Sequence, residues 1–261
     1  MIAALPMYDW LEVRGATDAL WQGIARHLAE AGLAAPPALD RRTPLWQVWQ
    51  APDLLLAQTC GWPLTMGEAG TAAVFARPIL RGDGAPGTYR SALVMRADDR
   101  RSVAEAMGGG VAVNGFASLS GWITLQRHAR RRGWAIGPIR LTGGHRASLS
   151  AVADGEADLA AVDATCWHIA EQAGLTRTLD VRAWTEPAPS PPWITAATTE
   201  PEVRALLATA IDATLQALPE VAERLGLRGA LPATNADYDG LADWAGEGPA
   251  ARAVSASGGD I

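Results

Sequence analysis

The side chains best suited to bind a small anion lie in residues 141–165. This stretch opens with a polar, glycine-containing loop that ends in His145, and apolar residues at helical spacing then predict a short helix that stops at Gly155. The apolar run 159–162 predicts a buried strand that ends in Asp163. Polar groups therefore gather at the start of a helix and at the end of a strand, which is where open α/β sheets bind ligands. We interpret the stretch as half of a small-molecule site.

A second stretch, residues 111–133, repeats this arrangement. Residues 111–113 predict a strand, residues 114–121 form a polar loop, and a helix is predicted from about Trp122 to near Gly133. The two helix starts can point at one ligand. Each attracts an anion, because free backbone amides and about half a positive charge collect at a helix N-terminus. The sequence therefore predicts the other half of the site here.

Each candidate residue also has a purely structural interpretation. Ser118 and Ser120 can serve only as helix caps, an ordinary use of serine at that position. His145 can be a loop residue that faces solvent, and Asp163 can cap the following helix or pair with Arg146. The sequence leaves both interpretations open.

Cys60 follows a predicted strand, a position where a nucleophile could stand. Catalysis would need a lowered pKa and a base, for which His145 and His168 are the candidates. A small packed cysteine is the simpler interpretation.

The arginine-rich residues 127–132 can form an anion patch, but a solvated helix face is the better interpretation. The remaining histidines fit surface or packing positions, and we expect no metal site and no cofactor.

Composition narrows the function further. The chain has 261 residues, a net charge of −6 and no lysine, so nucleic acid is not the expected partner and lysine Schiff-base or P-loop chemistry is excluded. The two cysteines lack the spacing of a zinc site or a disulfide framework. The first residues lack the basic and apolar regions of a signal peptide, and no apolar run is long enough to cross a membrane. We therefore expect a cytoplasmic protein as the sequence stands, or a periplasmic one if a leader is missing from it.

The rest of the chain alternates predicted strands and helices, which is typical of an α/β fold. The predicted strands outside the two polar stretches are residues 2–5, 46–49, 52–57, 72–79, 88–95 and 181–184. The first predicted helix there is capped by Thr17 and stopped by Gly32, and the others are residues 102–107, 202–218, 220–225 and 238–244. Residues 255–261 are expected to fray. We predict a discontinuous lobe 1 (residues 1–89 and 186–261) and an inserted lobe 2 (residues 90–185), joined by two crossovers.

With these elements placed, the chain resembles the type 2 periplasmic-binding-protein superfamily, and within it the substrate-binding proteins of phosphate, phosphite and phosphonate ABC transporters. The resemblance rests on residues 58–63, 89–91, Asn114 with 118–121, 144–148 and, most specifically, 153–163. It implies two α/β lobes with a ligand in the cleft between them, and an oxyanion held by hydroxyls and main-chain amides at helix starts.

Carried over by position, the resemblance assigns roles to individual residues. Ser118, Ser120 and Gly121 form one cradle for the oxyanion, and His145 with neighbouring amides forms the other. Asp163 accepts a hydrogen bond from a protonated ligand oxygen, which favours a monoprotonated phosphate-like group over sulfate. The full set of expected ligand-binding residues is Tyr8, Thr59, Tyr89, Asn114, Ser118, Ser120, Gly121, His145, Asp163 and Trp193.

The sequence departs from the family pattern in three respects. It shows no leader, Phe116 stands in a loop that is usually more polar, and Trp10 and Trp62 join Trp193 as aromatic candidates for the cleft. We predict a monomeric, non-enzymatic solute-binding protein for a small oxyanion, with an ABC-transporter permease as partner if it is exported. The alternatives are an enzyme that uses Cys60 or His145 on the same fold, and a cytoplasmic ligand-sensing module.

Overall fold

The computed structural model describes residues 1–82 and 84–244, so the predicted frayed tail (residues 255–261) lies outside the described residues. Its strands are β1 (Ile2–Ala4), β2 (Leu54–Gln58), β3 (Ala73–Leu80), β4 (Thr88–Tyr89), β5 (Ser91–Arg96), β6 (Val111–Val113), β7 (Ile139–Leu141), β8 (Leu159–Asp163), β9 (Leu179–Trp184), β10 (Ala188–Pro189), β11 (Trp193–Thr195) and β12 (Leu227–Pro232).

Its α-helices are α1 (Arg14–Glu30), α2 (Leu45–Gln50), α3 (Gly61–Thr65), α4 (Val103–Gly109), α5 (Thr124–Arg132), α6 (His145–Ala153), α7 (Ala164–Gln172), α8 (Pro201–Ala217) and α9 (Pro219–Leu225). Short 3₁₀-helices cover Pro6–Tyr8 and Asn235–Trp244, and a π-helical turn covers Leu119–Ile123 directly before α5. The chain divides into two compact units: unit 1 comprises Met1–Thr88 and Pro189–Asp239, and unit 2 comprises Tyr89–Ala188 and the described residues 240–244.

Unit 1 is built on a five-stranded sheet in the order β1-β2-β11-β3-β12. β1 and β2 run parallel, whereas β11 runs antiparallel to both of its neighbours and β12 runs antiparallel to β3. Every residue of β2 is buried, including Gln58 at its end. Helices α1 and α8 pack closely at Gly23, because a Cβ atom there would lie 2.3 Å from Cγ2 of Thr214.

Two sequence-based predictions in unit 1 are wrong. Residues 46–49 form the middle of α2 and not a strand. The helix buries Val48 and Trp49 and exposes Trp46, and a short apolar run of this kind cannot be assigned to helix or strand from its pattern alone. Thr17 does not cap α1, which begins at Arg14; its hydroxyl donates to the carbonyl of Val13 inside the first turns of the helix.

Unit 2 contains a second five-stranded sheet, in the order β7-β6-β8-β5-β9. Strands β7, β6 and β8 run parallel, and β5 runs antiparallel to its neighbours β8 and β9. After β6 the chain first adds β7 on one side and later adds β8 on the other. The boundary between β6 and β8 is therefore a topological switch point, where open α/β sheets form their ligand crevice.

Candidate functional site

The candidate site lies at the carboxyl edge of the unit 2 sheet. β6, β7 and β8 are parallel, so the loops that follow them leave the sheet at the same edge. These loops lead into the π-helical turn before α5, into α6 and into α7. Three helix starts with free backbone amides thus follow neighbouring strands, an arrangement that favours negative charge.

The loop after β6 is held together by its own polar groups. The Ser118 hydroxyl accepts a hydrogen bond from the Gly121 amide at 3.0 Å, and it lies 3.4 Å from the Ser120 hydroxyl. Ser118 is therefore a helix cap, as one of its two interpretations required, and its cap places it beside Ser120.

Asn114 packs directly against the backbone of Gly121. A Cβ atom on residue 121 would lie 1.7 Å from the Asn114 Oδ1 atom, so only glycine leaves room for this side chain. The Oδ1 atom is buried and has no hydrogen-bond partner within the described part of the chain. A buried, unpaired amide oxygen of this kind normally has a reason, such as water or a ligand, because leaving it unpaired costs free energy.

The π-helical turn fixes the backbone of Ser120. The amide of Ile123 donates to the carbonyl of Ser118, five residues back, and this wide turn is a feature that recurs at functional sites. The Ser120 carbonyl accepts hydrogen bonds from the hydroxyls of Ser91 and Thr124, both at 2.8 Å. Both of these hydroxyl-bearing residues are buried. The position of Ser120 is therefore set by two elements at once, β5 and α5.

Ser91 and Thr124 had no predicted role. Ser91 belongs to one of the segments that carried the family resemblance, and Thr124 stands four residues after Ser120. That spacing places a threonine hydroxyl within reach of a carbonyl one helical turn back, which is the signal that could have found it.

His145 is the first residue of α6 and contacts Ser120 across the site. Its Nε2 atom lies 2.7 Å from the Ser120 hydroxyl oxygen, although the two residues are 25 positions apart in sequence. Burial of the imidazole lowers the pKa of His145 to about 4, and a hydrogen bond to the backbone of Ala161 opposes this shift. The ring is therefore neutral near pH 7. His145 does not sit in a solvent-facing loop.

Asp163 ends β8 and caps α7. Its carboxylate accepts a hydrogen bond from the Thr165 amide at 2.7 Å, and the residue is buried. The same carboxylate opposes ionisation of Cys166: burial and this nearby negative charge raise the pKa of that thiol well above its ordinary value. The capping interpretation of Asp163 is thus observed, and a contact with a ligand stays a prediction.

The other predicted site residues lie elsewhere. Tyr89 is buried in β4, in unit 2. In unit 1, Tyr8 follows β1, Thr59 follows β2, and Trp193 begins β11 opposite Gln58. These three residues are buried at the carboxyl edge of β1 and β2. The structure therefore joins five predicted residues in a chain of contacts that runs from Asn114 through Gly121, Ser118 and Ser120 to His145. The roles of the other residues stay predictions.

Trp62 and Phe116 pack against other parts of the protein. Trp62 is 1% exposed, and the Phe116 ring meets the Trp122 ring edge-on with centroids 5.4 Å apart. Phe116 is half-buried, so part of this ring faces out of the loop.

The arginine-rich face of α5 is only partly solvated. Arg127 stacks on the Trp244 ring at 3.8 Å, and Arg130 donates to the carbonyl of the same residue. Arg132 pairs with Glu186, which also contacts the buried ring of His128. The solvated-face interpretation is therefore wrong for Arg127, and His128 is a packing residue.

The candidates for a catalytic base have other partners. Nε2 of His145 contacts Ser120, and Nε2 of His168 contacts the side chain of Gln172. Cys60 remains half-buried beside the start of α3. No group of three or more histidine, cysteine or acidic side chains in the described chain is arranged to hold a metal ion.

Several solved structures have a fold similar to that of this chain. The chain is similar to the structure of PhnD1 from Prochlorococcus marinus in complex with methylphosphonate, with 13% identity, a TM-score of 0.70 and coverage of 93% of this chain and 96% of that one. It is equally similar in fold to a binding-protein component of an ABC phosphonate transporter from Pseudomonas aeruginosa, with 16% identity, a TM-score of 0.70 and coverage of 93% and 84%. A Xanthomonas citri protein bound to ATP has 15% identity, a TM-score of 0.62 and coverage of 97% and 98%. No curated protein sequence matches the chain.

The fold is thus that of the two-lobed periplasmic binding proteins, a class of solute-binding proteins. Residues 53–238 match the family model of the periplasmic substrate-binding proteins of phosphonate ABC transporters, and the chain belongs to that family. The predicted family and solute-binding role are confirmed. Within the described residues, no helix combines the length and the apolar character that a membrane crossing requires.

Proposed function

We propose that this chain binds a small phosphonate-class oxyanion at the carboxyl edge of the unit 2 sheet and delivers it to an ABC-transporter permease. The observation that supports this most directly is the cluster of Ser118, Ser120, Asn114 and His145, which lies at the starts of two helices that follow neighbouring parallel strands. Its polar groups are hydroxyls, amides and a neutral imidazole, and the chain has no lysine. These groups suit an anion that is recognised by hydrogen bonds.

The binding energy in this proposal comes from neutral donors. The start of the π-helical turn and the start of α6 present free backbone amides, and each of these two starts carries about half a positive charge. Hydrogen bonds to a charged partner contribute roughly 1.5–3 kcal/mol each, so a few well-placed donors are enough for micromolar affinity. Asp163 sits at the adjacent strand end, where an acceptor would select a ligand oxygen that carries a proton.

We extend the proposal to Tyr89 and to the unit 1 residues Tyr8, Thr59 and Trp193 as further ligand contacts. That one ligand is clamped by both lobes is part of the same proposal. The protein would carry out no covalent chemistry and would act outside the cytoplasm, in the compartment of its family.

A ligand screen tests the proposal. The full chain is titrated with phosphate, phosphite, methylphosphonate, sulfate, small carboxylates and ATP, and binding is followed by thermal shift and calorimetry. We expect stabilisation by phosphonate-class anions and weaker or no stabilisation by sulfate. If none of the oxyanions stabilises the protein, the proposed ligand class is wrong.

Site variants then locate the binding. Ser120→Ala removes a hydroxyl of the cluster and should weaken oxyanion binding by about 10-fold or more, the loss expected for a hydrogen bond to a charged group. Ser150→Ala is the matched control, because Ser150 is exposed on α6 and should leave the affinity unchanged. Equal affinities for the two variants would contradict the proposed location.

A further inference from the structure

The π-helical turn deprives the Ser120 carbonyl of the amide donor that a regular α-helix would give it. In an α-helix the amide of residue 124 bonds to the carbonyl four residues back, which is that of Ser120. Here the Thr124 amide donates to the carbonyl of Leu119, five residues back. The hydroxyls of Ser91 and Thr124 donate to the Ser120 carbonyl instead, both at 2.8 Å. Side chains thus replace a backbone hydrogen bond at a residue of the proposed site.

Of these two hydroxyls, that of Ser91 comes from a different element, the start of β5, where the residue is wholly buried. Its backbone is held on another side by Thr185: the Ser91 amide donates to the Thr185 hydroxyl, and the Ser91 carbonyl accepts from the Thr185 amide, both at 3.0 Å. In the sheet, Ser91 pairs with Asp163, another predicted ligand residue. Ser91 therefore joins the π-helical turn to the strand end that carries Asp163.

We propose that Ser91 is a positioning residue, which holds the π-helical turn through the carbonyl of Ser120 and so sets the oxyanion affinity without touching the ligand. This inference rests on the proposed oxyanion-binding function and names a residue on which its site depends. Without the Ser91 hydroxyl, the Ser120 carbonyl loses a partner. A regular α-helical turn, in which the Thr124 amide supplies the missing bond, then competes with the π-helical form and turns the Ser120 side chain away. The affinity falls in proportion to the population of the π-helical form.

Calorimetry with methylphosphonate or phosphate compares two buried serines. Ser91→Ala should weaken binding by about 3- to 10-fold, the change in an equilibrium that corresponds to one hydrogen bond. Ser190→Ala is the matched control, because Ser190 is equally buried and its hydroxyl donates to the carbonyl of Pro78 in unit 1. We expect this control to lose stability and to keep its affinity within about 2-fold. Equal losses of affinity in the two variants would overturn the positioning role.

Thr124→Val and Thr17→Val form a second matched pair. Both threonines are buried in helices, and the hydroxyl of each donates to the carbonyl four residues back. We expect Thr124→Val to weaken binding about as much as Ser91→Ala, and Thr17→Val to leave the affinity unchanged. Ser91→Ala combined with Thr124→Val should weaken binding by more than the product of the single losses, because either hydroxyl alone still bonds to the carbonyl. A loss equal to that product would contradict a shared action on one carbonyl.

The hydrogen bond itself is tested without ligand. In ¹³C spectra of the ligand-free protein, Ser91→Ala should shift the carbonyl resonance of Ser120, whereas Ser190→Ala should not, and an unchanged resonance would refute the bond. In the unaltered protein the hydroxyl proton of Ser91 should exchange slowly with water. Fast exchange would overturn the proposal even if Ser91→Ala did not fold.

These measurements separate the two proposals. If the unaltered protein binds no oxyanion, the proposed function fails, and the control of affinity by Ser91 falls with it. If oxyanions bind, but Ser91→Ala and Ser190→Ala bind them equally well, only the positioning role fails.

Discussion

Replacement of Gly121 by alanine tests how the site is built, because it adds one carbon atom at the tightest contact in the loop after β6. The new Cβ would lie 1.7 Å from Oδ1 and 2.7 Å from Cγ of Asn114, and 3.3 Å from the Ser118 hydroxyl. The backbone at Gly121 is not in the left-handed region, so alanine meets no backbone strain there. The Asn114 side chain must therefore leave its position.

The effect on stability follows from two opposing contributions. Overpacking costs about 1–3 kcal/mol, whereas alanine in a helical turn gains about 1 kcal/mol over glycine. We expect a net loss of about 0–2 kcal/mol in the free energy of unfolding, measured by urea denaturation. The affinity for a phosphonate should fall more strongly, by about 10- to 150-fold if Asn114 donates one hydrogen bond to the anion, measured by calorimetry.

Two further variants show whether this reasoning is right. Gly115→Ala adds a Cβ in the same loop with no atom within 4 Å, and it should leave the affinity unchanged. Asn114→Ala in the Gly121→Ala background removes the clash, so the stability lost in Gly121→Ala should return while the affinity stays low. If Gly121→Ala destabilises the protein equally with and without Asn114, the clash is not the cause.

Three other predictions address stability and reactivity. The free energy of unfolding should fall as the pH drops from about 6.5 to about 4, because the unfolded chain protonates His145 in this range and the folded state does not. In His145→Gln, urea denaturation should show a smaller loss of stability over the same pH range. Gly23→Ala should lower the free energy of unfolding by a net amount of about 0–2 kcal/mol, because its Cβ would lie 2.3 Å from Cγ2 of Thr214 and the clash outweighs the gain of alanine over glycine in a helix. Gly15→Ala lies in the same helix with open space around it, so it should be neutral or stabilising by up to about 1 kcal/mol. A similar change for both variants in urea denaturation would contradict this reasoning. The thiol of Cys166 should stay unreactive towards a thiol reagent until the protein unfolds, because burial and a nearby carboxylate raise its pKa. Fast labelling of the native protein would contradict the burial of this thiol.

The elements that position the site could be predicted from local sequence because each has a strong local signal. Apolar runs predicted β6 and β8, apolar residues at helical spacing predicted α6, and Gly155 marks the end of α6 as expected. The prediction failed for residues 46–49, because a short segment with three apolar residues fits either a helix or a strand and packing decides between them. The family resemblance then supplied the solute-binding role, which the family match confirms.

The sequence by itself determined which residues stand at helix starts and strand ends, because caps, glycine stops and apolar periodicity act over a few neighbouring residues. It marked Ser118, Ser120 and His145 for this reason. It offered a cap or a ligand contact for each serine, and a solvent-facing loop position or a ligand contact for His145. Only the tertiary structure decided that His145 meets Ser120 and that Ser91 holds the Ser120 carbonyl. These contacts join residues that are brought together by the order and direction of strands in the sheet, which no local pattern contains.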